Sequence, residues 1–107
     1  MKGLGDIMKQ ARELQDKLAS TQAELEAMEI EGTSGGGLVR IVLTGRGVMR
    51  AVKIDPSLSA PGEREVLEDL IIAAHNDAKT KMDRATADKM RDMTGGLPLP
   101  PGFNFGA

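Results

Sequence analysis

The chain is 107 residues long, carries a formal net charge of −2 at pH 7, and contains no Cys, Trp or Tyr. That length is one domain, and the absence of cysteine excludes a disulfide framework and thiolate chemistry. No apolar run reaches membrane-spanning length or resembles a secretory leader, so the expectation is a soluble intracellular protein. Both aromatics, Phe103 and Phe105, fall in the last five residues, so the core must come from Leu, Ile, Val, Met and Ala. Such small side chains in so short a chain bury little apolar area, which makes a core shared by two copies an expectation.

In chain order, residues 4–28 carry the clearest periodicity. Leu4, Ile7, Ala11, Leu14, Leu18, Thr21, Leu25 and Met28 alternate spacings of three and four, an a/d seam broken only at Thr21. The positions between them are mainly Lys, Glu, Gln and Arg, so the segment predicts a long helix with one narrow apolar stripe. A hairpin is too short to cover it, and part of the seam should meet another helix.

Residues 29–34 alternate in character and predict a short first strand entering a Gly35-Gly36-Gly37 turn. Residues 38–43 and 48–54 are β-rich runs on either side of Thr44-Gly45-Arg46-Gly47, a hairpin signal. An even-length loop pairs odd positions of the first run with even positions of the second. Val39, Ile41, Leu43, Val48, Val52 and Ile54 then share one face, with Arg50 its only charge. Arg40, Val42, Thr44, Met49, Ala51 and Lys53 share the other. One face should be buried, and Val39, Ile41, Leu43, Val52 and Ile54 are its predicted sheet and dimer core. A lone hairpin is marginal, so a third strand, a helix or a partner chain must cover it.

Asp55-Pro56-Ser57-Leu58 ends the last strand, and Pro61 and Glu63 suit the entry to a second helix over residues 63–93. Its stripe is Leu67, Leu70, Ile71, Ala74, Ala78, Met82 and Ala85. Residues 66–74 are apolar nearly all round and should be buried on the sheet. Residues 79–91 are mostly charged and should project or lie on another helix. Thr94-Gly95-Gly96 stops the helix, and the Pro/Gly-rich residues 97–107 read as an irregular tail. The fold class is therefore α+β, with a long N-terminal helix, a two- or three-stranded antiparallel sheet and a long C-terminal helix. Residues 1–96 form its one domain.

Catalytic chemistry is nearly unsupported, and the protein is not expected to be an enzyme. The single histidine, His75, has Asn76 and Asp77 beside it, but adjacent helical residues point in different directions and cannot converge on one metal. The Gly35–Gly37 run lacks a following Lys-Ser/Thr and leads into a strand, so it fails as a phosphate loop. No cofactor, metal or small-molecule substrate is expected. Charge is segregated: residues 24–31 carry four Glu and no base, while residues 35–55 carry Arg40, Arg46, Arg50 and Lys53 against Asp55 alone. Lys2, Lys9, Arg12 and Lys17 interleave with acids on the first helix, as do Lys79, Lys81, Arg84, Lys89 and Arg91 on the second. A mixed-charge solvated face is the plain reading of this pattern. The sharper reading is a phosphate-contacting surface that becomes continuous on dimerisation. No recognition helix, zinc finger or aromatic stacking platform is present, so any DNA contact would be dominated by the backbone.

Several stretches together resemble the YbaB/EbfC family of nucleoid-associated proteins. They are residues 31–39 (Glu-Gly-Thr-Ser-Gly-Gly-Gly-Leu-Val), 52–58 (Val-Lys-Ile-Asp-Pro-Ser-Leu) and 67–78 (Leu-Glu-Asp-Leu-Ile-Ile-Ala-Ala-His-Asn-Asp-Ala), with a similar tail at 99–103 (Leu-Pro-Pro-Gly-Phe). One departure is the hairpin turn, where family members often have Asn-Gly and this chain has Thr44-Gly45. The resemblance implies a tweezer-like homodimer whose sheets join across the two-fold and whose long helices project. It implies double-stranded DNA as partner, no membrane, a place in the cytoplasm at the nucleoid, and a role in nucleoid organisation and gene regulation. DNA contacts on the projecting helices would fall to Lys9, Arg12, Lys17, Lys79, Lys81, Arg84, Lys89 and Arg91. The competing expectation is a protein-interaction scaffold with coiled-coil arms, for which DNA is incidental.

Overall fold

The computed structural model describes residues 3–94, so the tail expected at 97–107 lies outside the described residues. The order is α1 (Leu4–Ala27), β1 (Ile30–Ser34), β2 (Val39–Leu43), β3 (Met49–Ile54), a 3-10 turn (Pro56–Ser59) and α2 (Arg64–Thr94). The strands form one antiparallel sheet in the order β1-β2-β3, so the three-stranded alternative is the one realised. α1 ends at Met28, whose backbone turns to an extended conformation (φ −67°, ψ 141°) and leads almost directly into β1.

Two local features bring the strands together. The turn after β1 runs through Gly35, Gly36 and Gly37 at φ 59°, 69° and 100°, a left-handed run that only glycines adopt without strain. The hairpin loop is ordered by buried Thr44, whose Oγ1 accepts from the Arg46 and Val48 amides at 3.2 Å each. The Val48 carbonyl accepts from the Thr44 amide at 2.8 Å. This side-chain bonding closes a Thr-Gly loop where an Asn-Gly turn would do so by backbone conformation alone.

Pairing follows the expected parity over most of the hairpin, with Val39 opposite Ile54 and Ile41 opposite Val52. Parity breaks between Val42 and Leu43, because Leu43 lies opposite Met49 and Arg50 is an extra residue in β3.

α2 lies across β1 and β2 and buries Val39, Ile41, Leu43, Leu58, Ala74, Ala78 and Met82. Leu67, Leu70 and Ile71 pack half-buried around them. Two expectations are met only in part within the protomer. Val52 and Ile54 share the face of Ile41 and Val39 but stand 43% and 39% exposed, outside the protomer's core. The reason is width: a helix about 10 Å across covers about two strands spaced 4.8 Å apart, and β3 is the third. Residues 66–74 are not buried all round either. Only one side of a helix can touch a sheet, and Val66 and Ile72 are exposed.

Candidate nucleic-acid interface

α1 is seated on the body only by its last turns. Among the described residues of this helix, Thr21 and Leu25 alone are buried. Leu4, Ile7, Leu14 and Leu18 of the apolar seam are exposed, Leu4 at 77%. The helix therefore projects, and the molecule has principal extents of 75 × 26 × 16 Å.

The three bases nominated on this arm, Lys9, Arg12 and Lys17, are exposed. No ion pair engages them among the described residues. At 3.6 residues per turn, Lys9 and Arg12 fall opposite the apolar seam and Lys17 flanks it. A partner laid along the seam would leave the first two open. Asp6, Glu13 and Asp16 interleave with them and weaken the local positive field.

The bases nominated on α2 are placed differently. Lys79 pairs with Asp83 at 2.7 Å and Arg91 with Asp88 at 3.3 Å, both along the helix. Lys81 pairs with Asp77 at 2.9 Å and also donates to the Glu31 carbonyl at 3.3 Å. Asp77 in turn accepts from the Thr33 amide at 2.9 Å, so Lys81 and Asp77 together tie α2 to the edge of β1. The Thr33 amide, and secondarily Lys81, hold the Asp77 carboxyl below the usual aspartate range. Lys89 reaches across to Glu24 of α1 at 2.8 Å. Arg84 is exposed and makes no ion pair among the described residues.

The eight nominated bases thus separate into two groups. Lys9, Arg12, Lys17 and Arg84 are uncommitted, whereas Lys79, Lys81, Lys89 and Arg91 have acidic partners. Sequence reasoning missed the bases that α1 itself binds. Arg46 pairs with Glu26 at 2.7 Å, and Arg50 donates to the Glu26 carbonyl at 3.4 Å. The signal was present, because the Glu-only segment 24–31 and the basic hairpin 35–55 are complementary. On the sheet face away from α2, Arg40 pairs with Glu31 at 3.1 Å, and Lys53 lies directly opposite Arg40. Among the described residues, no group of His, Cys, Asp or Glu is arranged to hold a metal ion, and no helix is long and apolar enough to cross a membrane.

The family model for the YbaB/EbfC DNA-binding family matches residues 1–97. Two relatives named nucleoid-associated protein, from Brucella ovis and Brucella anthropi, are 54% and 55% identical over 105 residues, covering 98% of this chain and 98% of each relative. The crystal structure of an uncharacterized protein from Helicobacter pylori superposes with a TM-score of 0.76 at 18% identity, covering 89% of this chain and 100% of that one. At that identity the likeness is one of fold.

Proposed function

Because the chain belongs to the YbaB/EbfC DNA-binding family, we propose that it works as a homodimeric nucleoid-associated protein that grips duplex DNA mainly by its phosphates. The observation that carries this reading is the projecting α1, on which Lys9, Arg12 and Lys17 make no ion pair among the described residues and the first two lie away from an uncovered apolar seam. A second copy covering the seam, together with the exposed Val52 and Ile54 of β3, would complete the core that one chain leaves open. It would also double the uncommitted bases. The described residues include no Phe, Tyr or Trp side chain and no metal-holding cluster that could read bases, which supports low selectivity among sequences. Contributions to nucleoid organisation and gene regulation follow from coating DNA in this manner, with the protein located at the nucleoid.

The test is fluorescence anisotropy with unrelated duplexes of equal length at several salt concentrations. About six to ten phosphate contacts lose about 10³–10⁵-fold in affinity between roughly 50 and 200 mM salt. The interleaved Asp6, Glu13 and Asp16 set the expectation at the lower end of that range. Unrelated duplexes should bind within about tenfold of one another. Binding indifferent to salt, or none at about 50 mM, would overturn the reading and favour the coiled-coil scaffold.

A further inference from the structure

α1 ends in an electrostatic contradiction. The carboxyl end of a helix carries partial negative charge, which favours bases in the last turn. α1 has no base in its last turn; it has Glu24 and Glu26 there, with Glu29 just beyond. The compensation comes from other elements. Successive helical residues are offset by about 100°, so Glu24 and Glu26 project to either side of buried Leu25. Lys89 of α2 takes Glu24 on one side at 2.8 Å, and Arg46 of the hairpin loop takes Glu26 on the other at 2.7 Å. Between them the Gly45 amide donates to the Leu25 carbonyl at 2.8 Å. A Cβ on Gly45 would stand 2.8 Å from that carbonyl oxygen, so the loop and helix touch backbone to backbone.

This is a grip with a fulcrum in the middle. The fulcrum is Leu25 against Gly45; the two jaws are ion pairs between side chains 37–57% exposed. Exposed pairs of this kind are weak and sensitive to salt, which makes them replaceable by another anion. Within one protomer no residue of α1 before Thr21 is buried, so this grip fixes the arm on its own body, and the arm would swing together with whatever second copy covers its seam.

We propose that Glu24 and Glu26 are internal stand-ins for phosphate. They hold Lys89 and Arg46 in the free protein, and a DNA backbone that claims these bases releases the jaws and lets α1 swing about the Leu25–Gly45 contact. The inference rests on the DNA-binding reading above and adds to it two concealed contacts and a moving arm. Coupling runs both ways: if DNA loosens the arm, loosening the arm must tighten DNA binding by the same factor. The two-residue connection of Met28 and Glu29 between α1 and β1 is where the backbone change would be absorbed.

The experiment uses the full chain and compares Glu24→Gln/Glu26→Gln with a charge-matched control, Glu65→Gln/Asp69→Asn. The control residues are exposed and unpaired on the outer face of α2 among the described residues. Binding of a fluorescein-labelled duplex of about 20 base pairs is read at several salt concentrations. The grip variant should bind about threefold to tenfold tighter than wild type, with a steeper salt dependence; the control should gain less than about twofold. Arm motion is read separately by pulsed spin-label distances between Gln10→Cys and Thr80→Cys, both exposed positions in a chain with no natural cysteine. Labelled chains are diluted into unlabelled ones. Saturating DNA should broaden the wild-type distance distribution, and the grip variant should be broad without DNA. Lys89→Met should also loosen the arm but weaken binding. Equal gains in the two variants, or a wild-type distribution that DNA leaves unchanged, overturn this inference while the DNA reading stands. Wild type and grip variant both silent towards the duplex at about 50 mM salt overturn the two together.

Discussion

Gly32 of β1 lies directly against Ala74 of α2, so close that a Cβ on Gly32 would overlap the Ala74 carbonyl oxygen. The same Cβ would overlap the backbone nitrogen and Cβ of Ala78, one turn further along. Two alanines on the helix and a glycine on the strand therefore set how near α2 comes to the sheet. The neighbouring Thr33–Asp77 and Ser34–Leu70 hydrogen bonds, at 2.9 and 2.6 Å, depend on that distance. Gly32→Ala should force helix and strand apart and cost about 1–3 kcal/mol or more, because the obstruction is backbone and cannot rotate away. Urea unfolding at pH 7 measures the loss. A wild-type midpoint would mean that α2 is free to shift.

Ile41 and Val52 face each other across the hairpin, yet only Ile41 is buried in the protomer. Their Asp substitutions should separate folding from association. Ile41→Asp places an unpaired charge in the core, costs several kcal/mol and should unfold the chain. Val52→Asp should leave a folded protomer and break the dimer. Light scattering after size-exclusion chromatography should report twice 11.4 kDa for wild type and 11.4 kDa for Val52→Asp. A wild-type monomer with a cooperative melt would remove the dimer from the proposal.

Acid should weaken the α2–β1 contact in a defined window. An ordinary aspartate titrates near 3.8, and Asp77 lies below that value because it accepts from the Thr33 amide and from Lys81. A carboxyl depressed by folding stabilises the fold above its ordinary pKa, and that stabilisation is lost as pH falls through the folded value. Asp55, which accepts from the Ser57 hydroxyl and amide, is shifted the same way and acts in the same direction. Neither group contributes a loss between pH 7 and about 5; both do below about 4. Asp77→Asn should flatten the fall in urea midpoint over that acid range. An unchanged acid limb would show that Asp77 titrates alike in the folded and unfolded chain.

The sequence conveyed the elements better than the contacts between them. A period of two makes the faces of residues 38–43 and 48–54 legible, and a three-four seam makes α1 legible, because both patterns are local. Burial of Val52 and Ile54 was not legible, since it depends on which strands a single helix happens to cross. The ion pairs divide along the same line. Lys79–Asp83 and Lys81–Asp77 are four apart and readable as helix pairs, whereas Lys89–Glu24 spans 65 positions and requires the fold. Of the four nominated bases with acidic partners, three have them within α2, where spacing makes them readable; Lys89 alone has its partner on another element, and that pairing requires the fold.

The division between free and committed bases gives the decisive comparison for DNA. Lys9→Gln/Arg12→Gln and Lys79→Gln/Lys81→Gln remove the same formal charge. In the first pair the charges are uncommitted and stand opposite the apolar seam; in the second they are already offset by Asp83 and Asp77. If phosphates are met by α1, the first variant should lose about tenfold or more in affinity for every duplex alike, and its salt dependence should flatten. The second should lose less than about threefold, because Asp83 and Asp77 sit on the same helix as their bases and stay beside them when a phosphate approaches, whereas Glu24 and Glu26 can leave with the arm. Lys81 also holds the Glu31 carbonyl, so any loss in that variant should appear as a lower urea midpoint rather than as a changed salt slope. Anisotropy titrations at several salt concentrations read both quantities. Equal losses in affinity and slope would return the interface to both helices, and a larger loss in the second variant would move it to α2.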